Sequence, residues 1–96
     1  TEQLGKYMAD VAILSVDGIS AKGGITVFEA PEAGVYKKMI QQSNKVIVAA
    51  DHTKIGNTSL SAVGELSDID LIVTSKKADK DQIKEIQSLG VEVILI

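Results

Sequence analysis

Four apolar runs divide the chain: VAILSV at 11–16, KVIVAA at 45–50, IDLIVTS at 69–75 and VEVILI at 91–96. Each is short, rich in Val, Ile and Leu, and shows little polar alternation. That is how strands buried on both faces of a parallel sheet read, and their shortness and β-branching argue against buried helix.

The segments between the runs change period. In APEAGVYKKMIQQS (30–43), Pro31 suits a first helical turn, where its missing N–H costs nothing. Val35 with Met39 and Tyr36 with Ile40 form the i, i+4 pairs of an apolar stripe, with Lys37, Lys38, Gln41 and Gln42 facing outward. In ADKDQIKEIQSLG (78–90), Asp79 can cap a helix, Ile83, Ile86 and Leu89 recur on one face, and Gly90 can end it left-handed. TEQLGKYMAD at the start reads as a truncated helix leading into the first strand. Residues 57–68 are ambiguous: SLSAVGEL fits either a short strand or one helical turn. Strand, helix, strand, connector, strand, helix, strand predicts an α/β layer structure with a mostly parallel sheet of about four strands and right-handed crossovers.

Composition narrows the function. At 96 residues the chain makes one small domain, burying roughly 60–65% of its unfolded surface. Its 45% hydrophobic and 24% charged residues are ordinary for a soluble globular protein. No run approaches the roughly 20 apolar residues of a membrane span. With a net charge of −3, no basic block and 3% aromatic residues, it lacks the counterion-displacing patch and stacking platforms that nucleic-acid binding needs. Zero cysteines remove thiolate chemistry and fit a cytoplasmic location. With one histidine and no cysteine, no metal site or other cofactor is expected. A chain that opens on Thr1 reads as a processed product or a fragment.

In a parallel sheet the carboxyl ends of the strands share one edge, outside which ligands usually bind. Asp17-Gly18 leaves the first run there, followed by Lys22-Gly23-Gly24; Asp51-His52-Thr53-Lys54 leaves the second, and Thr74-Ser75-Lys76-Lys77 the third. Such a rim suits a small polyhydroxylated anion. Lys54 supplies charge for a phosphate, the backbone at Gly23 and Gly24 can approach it closely, and Asp17 and Asp51 can accept from sugar hydroxyls. Each residue also has a plainer reading. Asp17-Gly18 is equally the turn that ends a strand, Asp51 an Asx-type turn bonding its own backbone, Lys54 a solvated lysine and His52 a rim residue. Neither GxGxxG nor a P-loop motif is present.

SVDGISAKGGIT, EAGVYKKMI, VIVAADHTKIG, LSDIDLIVTS and GVEVILI, in that order, resemble the C-terminal sensor domain of DeoR-type transcriptional regulators. The resemblance runs from about residue 10 to the end. It implies a Rossmann-like fold related to ribose-5-phosphate isomerase, and a domain that binds a phosphorylated sugar or similar metabolite. It also implies a homo-oligomer that meets operator DNA only through an N-terminal winged helix-turn-helix. By the same resemblance residues 1–96 are the C-terminal part of the sensor domain, and the DNA-binding domain is not in this chain.

Carried over residue by residue, Asp17 and Gly18 match the family's acid-glycine turn near the sugar. Asp51 and Lys54 match its aspartate-x-x-lysine signature, with His52 and Thr53 as the variable pair. Ser15-Val16 replaces the more typical Gly-Ala, a bulkier strand end. The isomerases place a lysine–glycine segment and then a glutamate base after the aspartate turn. Lys22-Gly23-Gly24 echoes the former, but the base position falls near Val35 or Tyr36, and Glu32 is about one helical turn away. Proton abstraction needs a base within hydrogen-bond reach, so the expectation is a sensor and not an enzyme. An isomerase using Asp17, Glu32 and Lys22 is the alternative. A receiver domain modified at Asp51 fits less well, since the first strand lacks an acidic pair.

Overall fold

A computed structural model describes residues 11–96; the helix expected over TEQLGKYMAD lies outside the described residues. Seven strands and two helices follow: β1 Val11–Ser15, β2 Gly18–Ser20, β3 Gly24–Val27, α1 Ala30–Gln41, β4 Lys45–Ala49, β5 Ser61–Gly64, β6 Leu71–Thr74, α2 Lys80–Ser88 and β7 Glu92–Leu95. The four apolar runs supply β1, β4, β6 and β7, which pair in parallel in the order β1-β4-β6-β7. Short 3₁₀ turns occupy His52–Lys54 and Leu66–Asp68.

A second, antiparallel sheet has the order β2-β3-β5, and its strands β2 and β3 come from segments too short and glycine-rich to read as strands. The ambiguous stretch 57–68 holds both alternatives in succession, first β5 and then a 3₁₀ turn. Asp68 holds that turn by accepting from the Glu65 N–H at 3.0 Å. Gly24, at φ 69°, lies so close to β5 that an added Cβ would sit 2.2 Å from the Gly64 carbonyl oxygen.

The helices form where the periodicity put them, with two shifts of stripe. Pro31 stands in the first turn of α1. Its inward face is Ala33 with Tyr36, Met39 and Ile40, whereas Val35 is exposed. Asp79 caps α2 by accepting from the Asp81 and Gln82 amides at 2.8 and 3.5 Å. Ile83 and Ile86 are buried, but Leu89 follows the last helical residue and is exposed, because the chain turns away at Gly90 with φ 92°.

One expectation is corrected. The parallel strands are not covered on both faces among the described residues. Along β1, Ala12 and Leu14 are buried while Val11 and Ile13 are exposed. Ile13 aligns with Ile47, which aligns with Leu71, so the row continues across the sheet. The strand order explains this. Chain progress from β1 to β4, β6 and β7 never reverses direction, so right-handed crossovers all fall on one face. Leu14, Val48 and Ile72 look into that side and form the core with Ile19, Ile25 and Ile86.

Candidate functional site

The carboxyl ends of β1, β4 and β6 form a rim, and two polar segments are fixed to one another beside it. Asp17 follows the end of β1 at the base of the β2–β3 hairpin, where its amide donates to the Thr26 carbonyl at 3.0 Å. Its Oδ2 accepts from the Phe28 amide at 2.8 Å, joining the first strand of the hairpin to the exit of the second. Gly18 is buried, and a Cβ there would meet the Asn57 carbonyl oxygen at 2.5 Å and Thr26 Oγ1 at 2.6 Å.

The segment after β4 is laid against this hairpin by a series of bonds. The Gly56 amide donates to the Ile19 carbonyl at 2.6 Å, and Asn57 Nδ2 donates to the Asp17 carbonyl at 3.2 Å. Ser20 and Thr58 share a hydroxyl–hydroxyl bond of 3.2 Å. Thr26, 3% exposed, accepts from the Ser59 amide at 2.8 Å through Oγ1. Gly56, at φ 84°, takes the left-handed conformation that lets the chain turn onto the hairpin. The position of Asp51-His52-Thr53-Lys54 is therefore tied to that of Asp17-Gly18.

Asp51 caps the His52–Lys54 turn. Its Oδ1 accepts from the Thr53 amide at 2.9 Å and from the Thr53 hydroxyl, and its carbonyl accepts from the Lys54 amide at 3.1 Å. The Thr53 hydroxyl, then the Thr53 amide, hold its carboxyl below the usual carboxylate range, helped by the charges of Lys54 and His52 and opposed by desolvation. The Asx-type turn read from the sequence is thus present. It leaves Asp51 Oδ2 outside these bonds, within electrostatic reach of the Lys54 ammonium.

A cavity of about 420 Å³ opens at the rim, lined by Ser15, Asp51, Val73, Thr74, Ser75 and Ile96 together with Ala49 and Ala50. Thr74 is 2% exposed, and its Oγ1 has no hydrogen-bond partner among the described residues. Lys22 and Gly23 go elsewhere. They form the hairpin turn, where the Gly23 amide donates to Ser20 Oγ at 2.8 Å. With Gly24, Lys37, Glu65 and Leu66 they line a separate cavity of about 500 Å³. Of the residues the sequence singled out as ligand contacts, Asp51 alone lines the rim cavity; Asp17, Gly18 and Lys54 belong to the segments beside it, and Lys22 and Gly23 to the separate one. Glu32 is exposed in the first turn of α1.

Sequence reasoning named Thr74 only as part of a rim segment and missed the structural parts of Thr26, Asn57 and Ser59. A hydroxyl or amide inside a polar stretch gives no signal of burial until its partner strand is known. Among the described residues no group of three metal-ligating side chains occurs, and no helix is long and apolar enough to cross a membrane.

Residues 1–76 match the family described as the DeoR C terminal sensor domain. The HTH-type transcriptional repressor GlcR of Bacillus subtilis is 38% identical over 94 residues, covering 98% of this chain and 36% of the relative. The HTH-type transcriptional regulator GlpR of Haloferax volcanii is 32% identical over 85 residues, covering 88% of the chain and 33% of the relative. The Glycerol-3-phosphate regulon repressor of Haemophilus influenzae is 28% identical over 71 residues, covering 74% and 28%. These relatives are transcriptional regulators, and the chain spans about a third of their length. With the sequence profile and the parallel sheet in agreement, the chain belongs to the DeoR C-terminal sensor domain family.

Proposed function

We propose that this chain is the C-terminal part of the effector-binding and oligomerisation domain of a cytoplasmic DeoR-type repressor, that it senses a phosphorylated sugar, and that it is not an enzyme. Operator DNA is met through a winged helix-turn-helix outside this chain. The observation that carries the reading is the fastening of the Asp51–Lys54 turn to the Asp17-Gly18 hairpin beside the rim cavity. Lys54 anchors the phosphate and Asp17 contributes to reading the hydroxyls. The name of the Haemophilus relative, a glycerol-3-phosphate regulon repressor, supports a phosphorylated effector. Regulation requires the ligand to bind one quaternary arrangement better than another, since equal affinity for both shifts nothing.

The test is a thermal-shift and calorimetric screen of sugar phosphates on the whole regulator, with Lys54→Ala beside it and operator affinity read with and without each hit. A ligand at about 100 times its Kd adds about 2.7 kcal/mol of stability. A hit that is lost in Lys54→Ala and changes operator affinity is the expected result. Operator binding indifferent to every hit, or isomerase turnover abolished by Glu32→Gln, overturns it.

A further inference from the structure

We propose that the rim cavity at the ends of β1, β4 and β6 receives the neutral, hydroxyl-bearing end of the ligand and not its phosphate, with Asp51 Oδ2 and Thr74 Oγ1 as the contacts. This rests on the sugar-phosphate reading above and adds to it the direction in which the ligand lies.

The lining decides the chemistry. Asp51 contributes a carboxylate, and Ser15, Thr74 and Ser75 contribute hydroxyls; among the described residues no lysine lines this cavity. A phosphate placed here would meet a like charge without a neutralising cation, whereas an alcohol can donate to Asp51 and exchange hydrogen bonds with the hydroxyls. Asp51 has an oxygen to offer, because the bonds from Thr53 all end on Oδ1.

Thr74 supplies an independent reason. A buried hydroxyl normally has a partner, and Thr74 Oγ1 has none among the described residues. The residue stands at the last position of β6, on the cavity wall. A step of about 120° in χ1 carries its hydroxyl to another staggered position, so a ligand oxygen in the cavity can capture it. Ser75 is less free, since its Oγ already accepts from the Lys77 amide at 3.1 Å. Lys54 acts on Asp51 electrostatically without lining the cavity, which leaves its ammonium to hold the charged end outside.

The test is calorimetry on the whole regulator and its Thr74→Val, Asp51→Asn and Lys54→Ala variants. The probes are ribose 5-phosphate, fructose 6-phosphate, glucose 6-phosphate and inorganic phosphate. Valine keeps the shape of threonine, and asparagine keeps the acceptor that caps the turn. The expected result is about tenfold weaker binding of the best sugar phosphate in Thr74→Val and in Asp51→Asn, with inorganic phosphate within twofold of wild type. Lys54→Ala weakens both probes. Unliganded Thr74→Val should melt at or above the wild-type temperature, since it removes an unpartnered hydroxyl. Wild-type sugar-phosphate affinity in both Thr74→Val and Asp51→Asn overturns the proposal while sparing the sugar-phosphate reading. So does inorganic phosphate binding weakened as much as sugar-phosphate binding in Thr74→Val, which would put the phosphate in the cavity. A wild-type protein that binds none of the sugar phosphates overturns both.

Discussion

Gly18 and Asn57 approach so closely that a Cβ on Gly18 would stand 2.5 Å from the Asn57 carbonyl oxygen. Neither side can yield cheaply. Asn57 is tied back to the Asp17 carbonyl, and Thr26 Oγ1, 2.6 Å away on the other flank, is held by the Ser59 amide. Gly18→Ala should therefore cost about 1–3 kcal/mol through overpacking. Gly34, in α1 with open space around its α-carbon, is the control: Gly34→Ala should stabilise by about 0.5–1 kcal/mol. Urea denaturation of the two variants reads both signs.

The pairing of Ile13 with Leu14 gives a second expectation. Ile13 is 67% exposed and Leu14 1% exposed, one residue apart on opposite faces of β1. Leu14→Ala should cost about 2–5 kcal/mol, and Ile13→Ala less than about 1 kcal/mol in the 96-residue chain. Denaturant midpoints for the two variants check this. A loss at Ile13 as large as that at Leu14 would contradict the open face.

That open face also shows why part of the fold was legible and part was not. The four apolar runs announced β1, β4, β6 and β7 because consecutive β-branched residues have few other uses. Their apolar continuity could not say which face is covered, since Val11 and Ile13 look the same in sequence as Ala12 and Leu14. Coverage follows from strand order, a non-local property. β2 and β3 escaped notice because three or four residues around glycines carry no period. At the site, Asp51 and Lys54 were visible as a polar break after a buried strand. Thr26 and Asn57 were not, because their importance lies in partners 33 and 40 residues away.

Asp51 predicts a pH dependence whose sign is fixed. Its folded carboxyl lies below the ordinary value of 3.8, so the turn's contribution is fully present above that value. It is lost as pH falls through the lower folded value. Because the Thr53 hydroxyl is the leading cause, Thr53→Ala should raise the Asp51 pKa more than Lys54→Ala does. The Thr53 part should also persist in high salt, which screens the Lys54 and His52 charges. Carboxyl-carbon NMR titration of the three proteins measures the shifts. A larger change in Lys54→Ala would reverse the assigned order.

Thr26 offers the sharpest check on how the two polar segments are held together. Its hydroxyl accepts from the Ser59 amide at 2.8 Å and lies 3.5 Å from the Gly18 carbonyl, to which it donates, so one buried atom joins the hairpin to the segment after β4. Thr26→Val keeps the volume and removes both bonds, leaving the part-buried Ser59 amide without its acceptor. The expected cost is about 1–3 kcal/mol. Thr26→Ser restores the hydroxyl and should recover most of that loss, falling short by about the burial of one methyl group. Amide exchange separates this from a general loss of packing. In Thr26→Val the Ser59 and Gly56 amides should lose protection before those of β4 and β6, because only the fastening of the segment to the hairpin has been cut. Equal loss of protection across all four would mean that Thr26 serves the core as a whole and does not act as the joint between the Asp17 turn and the Asp51–Lys54 turn.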